Sequence, residues 1–182
     1  AVHDHIVANS RAMCDAAAAA ARALGYRAEV LTLELEGESA EAGRWLTGRL
    51  HDAGPGAALV AGGETTVTLR GAGAAPEGKP AETPAGGPSQ EAALAGALAL
   101  EGGPPACLLC LDSDGTDGPT DAAGGLVDDL TAEAARAAGT DLPAALAAHR
   151  AGAALSSTGD LVVTGPTGTN VNDLRIGLTA EG

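Results

Sequence analysis

Apolar residues recur along this chain with two periods, one helical and one extended. Met13, Ala17, Ala20, Ala21 and Leu24 fall three or four positions apart and so share one stripe of a helix. Asn9 or Ser10 can cap it by accepting from first-turn amides, and Gly25 supplies the stop. Residues 26–33 read as a strand carrying Val30, Leu31 and Leu33. A second helix is predicted from Ser39 through Trp45, Leu46 and Leu50 to the Gly54-Pro55 break. Residues 57–61 form a short apolar strand ending in Gly62-Gly63, and residues 66–70 alternate so that Val67 and Leu69 would share a buried face. Residues 71–88 are rich in Gly, Pro and Ala without an apolar period, which predicts a mobile loop.

Beyond that loop the pattern predicts a helix over 89–101, a buried strand over 106–111, a helical stretch to Ala138 and a short helix after Pro143. Residues 161–164 and 174–178 are the last strand candidates. Strands alternating with helices imply a layered α/β fold, with a largely parallel sheet flanked by helices. Residues 1–56 read as a helix-strand-helix lead-in, and 57–182 as the α/β domain proper.

Composition narrows the picture. Hydrophobic residues make up 45% of the 182, yet Phe is absent and Trp45 and Tyr26 are the only aromatics. Ala, Val and Leu must then fill the core, which suits helices laid on a sheet better than an aromatic-stacked sandwich. The formal net charge is −14, and Lys79 is the only lysine. Nucleic acids and anionic membranes both need clustered cations, so neither is an expected partner. The three cysteines lack a disulfide framework. Cys107 and Cys110 lie three apart on a strand, where side chains point to opposite faces, so the pair cannot chelate a metal and reads as buried packing. With no signal peptide and no membrane-length apolar run, the expected location is the cytoplasm. The chain opens at Ala1 rather than Met, which suggests that more sequence precedes it.

Candidate chemistry sits in four polar segments. In an open parallel α/β sheet, ligands bind beyond the carboxyl ends of the strands. Gly62-Gly63-Glu64-Thr65-Thr66 and the acidic loop at 112–121 occupy such places, as does the 164–173 segment. Gly86-Gly87-Pro88-Ser89-Gln90-Glu91 instead opens a helix, where free amides and the dipole favour an anion. Each has a plainer reading: turn chemistry for the Gly-Pro-Thr-Gly-Thr-Asn string, a solvated surface for the acidic loop, an N-cap for Ser89 and a dipole partner for Glu91. Asp112, Asp114, Asp117 and Asp121 would repel one another, however, and a cation would relieve this. The spacing is not that of an EF-hand, since Gly115 stands fourth and Ala123 twelfth from Asp112. Mg²⁺ held through one or two carboxylates, with phosphates completing its shell, fits better. A Walker A lysine is missing after Gly165, and the Gly71-Ala72-Gly73-Ala74-Ala75-Pro76 string runs into prolines rather than a pyrophosphate-binding helix. His3, His5, His51 and His149 have no Cys or Ser neighbour and read as surface or capping residues.

Three long strings resemble one family. Gly62-Gly63-Glu64-Thr65-Thr66-Val67-Thr68-Leu69-Arg70-Gly71 is similar to a stretch of the glycerate 2-kinases. Asp114-Gly115-Thr116-Asp117-Gly118-Pro119-Thr120-Asp121-Ala122-Ala123-Gly124 and the run from Gly159 to Leu174 resemble two segments of that family's MOFRL domain. Asn9-Ser10-Arg11 and Ala23-Leu24-Gly25-Tyr26 resemble the start of its C-terminal half, so the likeness covers nearly the whole chain in order.

The resemblance implies ATP-dependent phosphorylation of D-glycerate to 2-phosphoglycerate, with ATP and Mg²⁺ as cofactors. It implies catalytic or cleft-lining roles for Glu64, Gln90, Glu91 and Asp117, and metal or phosphate-proximal roles for Asp114, Asp117 and Asp121. Thr65, Thr66, Thr167, Gly168, Thr169, Asn170 and Asn172 become candidates for a nucleotide or substrate cradle, while Asp173 could equally orient its own loop. Two departures stand out. Pro88 replaces an arginine frequent in the family's helix-opening motif, and the family's N-terminal half, with a glycine-rich loop and a functional lysine, is not in these 182 residues. That half is the expected partner, and the chain alone is expected to be inactive. A hydroxypyruvate reductase, a name attached to relatives, is the alternative. A non-catalytic docking domain is a third reading, disfavoured because aromatic anchors are scarce.

Overall fold

The computed structural model describes residues 2, 3, 5–69 and 86–180. Helix α1 (Ser10–Ala23) begins where Asn9 Oδ1 accepts from the Ala12 amide at 2.9 Å. Its buried stripe is Cys14, Ala18 and Ala21, one residue round from much of the expected set, and Leu24 is left exposed. Strand β1 (Arg27–Leu35), helix α2 (Ser39–Ala53) and strand β2 (Ala57–Gly63) form a parallel βαβ unit. Helix α3 (Pro88–Leu100) and strand β3 (Ala106–Asp112) follow, then strand β4 (Gly124–Asp128). Three short helices, α4 (Thr131–Ala137), α5 (Leu142–Ala147) and α6 (Ala151–Thr158), lead to β5 (Leu161–Val162) and β6 (Asp173–Thr179).

The strand order is β1-β2-β6-β3-β4-β5. Helices flank the sheet as expected, but the expectation of a largely parallel sheet is corrected. Only β1 and β2 are parallel, while β6 runs antiparallel to both β2 and β3, and β4 is antiparallel to β3 and β5. Alternation of helix and strand fixes direction only where a helix links two neighbouring strands, as α2 does. β6 is reached from a long loop instead, and β3 passes to β4 without a helix.

Three local expectations also change. Residues 66–69 form no strand: Thr66 makes one bridge to Glu38, and Leu69 is half exposed rather than buried with Val67. The helical stretch expected to follow the acidic loop begins with β4, and α6 was not anticipated. Arg70, the glycine string at 71–76 and the expected mobile loop up to residue 85 lie outside the described residues.

Alternation along the strands builds two cores. Leu59, Leu108, Cys110 and Val127 face α2, α3 and the short helices, together with Leu46, Leu50, Leu94, Leu100 and Leu155. Val60 faces the other way, against Cys14 and Ala18 of α1, with Leu174 and Ile176 beside it. Cys110 is buried and Cys107 only partly so, on opposite faces of β3 as expected. Residues 10–56 thus add α1, β1 and α2 to the same sheet-centred body. Among the described residues no helix is long and apolar enough to cross a membrane.

Small residues let the helices approach closely. At Gly43 of α2 an added methyl would run into the Ala92 carbonyl of α3, where backbone cannot yield cheaply. Gly43→Ala is therefore expected to destabilise the fold by about 1–3 kcal/mol despite its better helix propensity. A urea unfolding midpoint below that of the parent chain, at unchanged slope, is the check.

Candidate functional site

Because β6 opposes β2 and β3, the ends of those two strands and the beginning of β6 share one sheet edge. Gly63, Asp173 and Asp112 stand abreast there, with Gly63 opposite Asp173 and Asp173 opposite Asp112. Leu111 stands opposite Gly124, and Gly124 opposite Val162, which brings β4 and β5 to the same edge. The loops at 64–69, 113–123 and 163–172 are therefore neighbours. The segments singled out by the rule for parallel sheets gather at this one edge, although the sheet is mostly antiparallel.

The start of α3 meets this edge, and its anion site is already filled. Gly87, the N-cap, has no side chain to offer. Asp117, fully buried, serves instead: Oδ1 accepts from the Ser89 amide at 3.1 Å and Oδ2 from the Gln90 amide at 2.7 Å. The anion expected at these amides is thus a carboxylate of the chain itself. A side chain on Gly87 would occupy the place of that carboxylate, which accounts for the glycine. Gln90, also fully buried, donates through Nε2 to the Asp117 carbonyl (3.2 Å) and Thr120 Oγ1 (2.7 Å). Gln90 and Asp117 stitch loop to helix, and neither faces open solvent.

Two loops are interlocked in front of this join. The Thr167 amide donates to the Asp114 carbonyl (3.0 Å) and its hydroxyl to the Ser113 carbonyl (2.5 Å). Ser113 Oγ accepts from the Val171 amide at 2.8 Å, and Asn170 Nδ2 donates to Asp114 Oδ2 at 3.3 Å. Asn172 takes a left-handed backbone with φ 70°, which Asn tolerates better than most side chains. Asp114, Thr167 and Asn170 are thus brought together, with Gly168, Thr169 and Asn172 exposed alongside.

The remaining candidates disperse. Glu64 is exposed at the same edge, whereas Thr66 is exposed and tied to Gly37 and Ser39 through its backbone. Thr65 is buried and accepts from Arg175, facing inward rather than toward a ligand. Glu91 turns to His149, 2.9 Å away, instead of joining Gln90. His149 is therefore a hydrogen-bond partner of Glu91 rather than a surface or capping residue. Asp114 is half-buried and Asp121 exposed. Among the described residues no three His, Cys, Asp or Glu side chains gather as a metal site, and the expected set of Asp114, Asp117 and Asp121 is not assembled. The donor chemistry explains this, since both Asp117 oxygens are committed to amides.

Sequence reasoning missed the buried polar layer beneath the loops. Arg175 is fully buried; its Nη2 donates to Thr65 Oγ1 at 2.6 Å and to Asp173 Oδ2 at 3.1 Å. Ser89 Oγ donates to Asp112 Oδ1 at 2.5 Å. No signal pointed to it: alternation in Leu174-Arg175-Ile176-Gly177-Leu178 sets Arg175 opposite the three apolar residues, on the face that reads as solvent. Burial pushes the Asp112 carboxyl up to about 8, with Ser89 opposing and Asp117 and Asp173 adding to the rise. Burial likewise lifts Asp117 to about 6 against the Gln90 and Ser89 amides. Asp173 is also raised by burial, with Arg175 opposing.

Fold and site define a helix-sheet-helix α/β domain whose interlocked polar loops crowd one sheet edge. The MOFRL family matches residues 57–173, and the chain belongs to that family. It is 42% identical to a D-glycerate 2-kinase of Thermotoga maritima over 97% of this chain and 42% of the relative. It is 43% identical to a putative hydroxypyruvate reductase of Agrobacterium vitis over 93% of this chain and 38% of the relative. The crystal structure of a glycerate kinase from Thermotoga maritima superposes with a TM-score of 0.86 at 41% identity, covering 97% of this chain and 42% of that one. The chain thus spans about two fifths of the length of these relatives.

The raised carboxyls carry a pH signature. Asp112 ordinarily titrates near 3.8, so the folded state binds its proton more tightly than the unfolded chain does. Its contribution to stability is full below about pH 4 and is lost as pH rises toward about 8. Urea unfolding at pH 5 and pH 8.5 should show the higher stability at pH 5, and Asp112→Asn should shrink that difference. Asp117→Ala, which leaves two helix amides unpaired, is expected to cost about 2 kcal/mol at pH 7, read from the same unfolding curves.

Proposed function

We propose that these 182 residues are the C-terminal portion of an ATP-dependent glycerate 2-kinase, which transfers phosphate from ATP to D-glycerate to give 2-phosphoglycerate. The observation that carries this reading is the interlocked pair of loops at 113–121 and 164–172. They offer amides, hydroxyls and the half-buried Asp114 carboxylate at one edge, in a chain 42% identical to a protein named D-glycerate 2-kinase.

Phosphoryl transfer asks a protein chiefly to position the reactants and neutralise charge on the transferred oxygens. Gly168, Thr169, Asn170 and Asn172 supply donors that orient phosphate or glycerate oxygens, Thr167 locks the two loops together, and Glu64 borders the same edge. Asp117, Gln90 and Thr65 hold those loops in place from below. Neither loop contains a lysine or an arginine. The neutralising charge therefore comes from Mg²⁺ and from the other three fifths of the longer polypeptide, which we take to be an N-terminal half. Three clustered aspartates do not fit the metal. One or two carboxylates with phosphate oxygens do: the exposed Asp121 would hold it, with Asp114, which now accepts from Thr116 and Asn170, as the second carboxylate. A cytoplasmic location goes with this reading.

The reductase name on the Agrobacterium vitis relative makes a nicotinamide-dependent reduction of hydroxypyruvate the alternative. The complete polypeptide, given D-glycerate and Mg-ATP, is expected to release ADP only when glycerate is present, and to stop when EDTA is added. Oxidation of NADH or NADPH by hydroxypyruvate without ADP release would replace the kinase by the reductase. The isolated 182-residue chain is expected to be inactive in both assays. ADP release from it would refute the need for the second half.

A further inference from the structure

The polar layer beneath the loops has one residue at its centre. Arg175 lies two positions along β6 from Asp173 and on the same face, in register with Ala61 of β2 and Cys110 of β3. Through Nη2 it holds Thr65, which belongs to the 64–69 loop. Thr65 Oγ1 in turn bonds Ser39 Oγ at 2.9 Å, at the first residue of α2. Through the same nitrogen Arg175 holds Asp173, where the 163–172 loop ends. Asp173 stands opposite Asp112 across the β6–β3 ladder, Asp112 opens the 113–123 loop, and it accepts from Ser89 in the first turn of α3. One guanidinium thus ties the 64–69 loop to the end of the 163–172 loop, beside the start of the 113–123 loop.

Pairing with Asp173 accounts for one side of this residue only. Among the described residues its Nε and Nη1 have no hydrogen-bond partner, although the side chain is fully buried. Unpaired donors on a buried cation are costly, and the side chain is kept because its loss would leave the buried Asp173 carboxylate and Thr65 without their shared partner. The guanidinium plane fixes the two N–H directions at Nη2, which neither an apolar residue nor a freely rotating ammonium can do, and so sets the angle between two loops.

We propose that Arg175 is the positioning residue of the site, fixing the 64–69 loop against the 163–172 loop so that the phosphate-facing donors stand at working distance. Its role in turnover rests on the kinase reading above, while its role in loop geometry does not.

The test is made in the complete polypeptide with two substitutions and two readouts. Arg175→Lys keeps the charge and loses the fixed plane. Thr65→Val keeps Arg175 and removes one of its two bonds, and it serves alone if the first variant fails to fold. Amide hydrogen exchange is expected to quicken at Thr65, Thr167 and Val171 in both variants, with α4 and α5 unchanged. In the same proteins kcat for glycerate-dependent ADP release should fall about 100-fold for Arg175→Lys, with KM for ATP within about threefold, as expected when groups are misplaced rather than removed. Equal quickening of exchange across all helices would reduce Arg175 to a core residue and overturn the proposal, as would unchanged loop exchange with unchanged kcat. If the parent polypeptide shows no ADP release at all, the kinase reading fails, and the exchange pattern alone decides the positioning role.

Discussion

Two amide hydrogen bonds to one buried carboxylate hold the working end of this domain together. Asp117 reaches from the acidic loop to the first turn of α3 and does for that helix what its own N-cap, Gly87, cannot. Everything in front of the helix depends on this join. It fixes the root of the 113–123 loop, that loop holds Ser113 and Asp114 in place, and those two residues anchor Thr167, Asn170 and Val171. The helix dipole is consequently used internally, and a bound phosphate would be met by loop amides and hydroxyls.

Charge is managed by the same layer. Asp117 and Asp173 raise the proton affinity of Asp112, Asp173 raises that of Asp117, and Arg175 is the cation set against Asp173. A domain with a formal charge of −14 could have repelled an anionic substrate outright. Burial keeps part of that charge protonated or paired, so the loops face outward with hydroxyls and amides rather than with a row of free carboxylates.

Much of this was legible in the sequence, and what was not has physical causes. Periodicity located α1, α2, α3, β2 and β3 to within a residue or two, and the Gly and Asp strings marked the loops that the sheet edge gathers. Strand direction was hidden, because nothing local in Leu174-Arg175-Ile176-Gly177-Leu178 says which neighbours it will take. β4 was hidden because Gly124-Gly125-Leu126-Val127-Asp128 is short and opens with two glycines. Side-chain roles were the least readable. Thr65 and Asp117 look like ligand contacts in a polar string, yet burial turns both inward. Glu91 sits next to Gln90 in sequence, and the helix aims it at His149 instead.

The place of β6 in the sheet bears on how the molecule assembles. It is the last strand in chain order, yet it lies between β2 and β3. Until it is in place, β1 with β2 and β3 with β4 and β5 are two separate half-sheets, each showing an unpaired and largely apolar edge. Such edges invite pairing with other chains. Closure by the most distant strand also carries a large loop-closure entropy, so the central ladder forms late. During synthesis the halves must wait until residues 173–179 have been made, and a chain cut short before Asp173 would leave both edges open to aggregation.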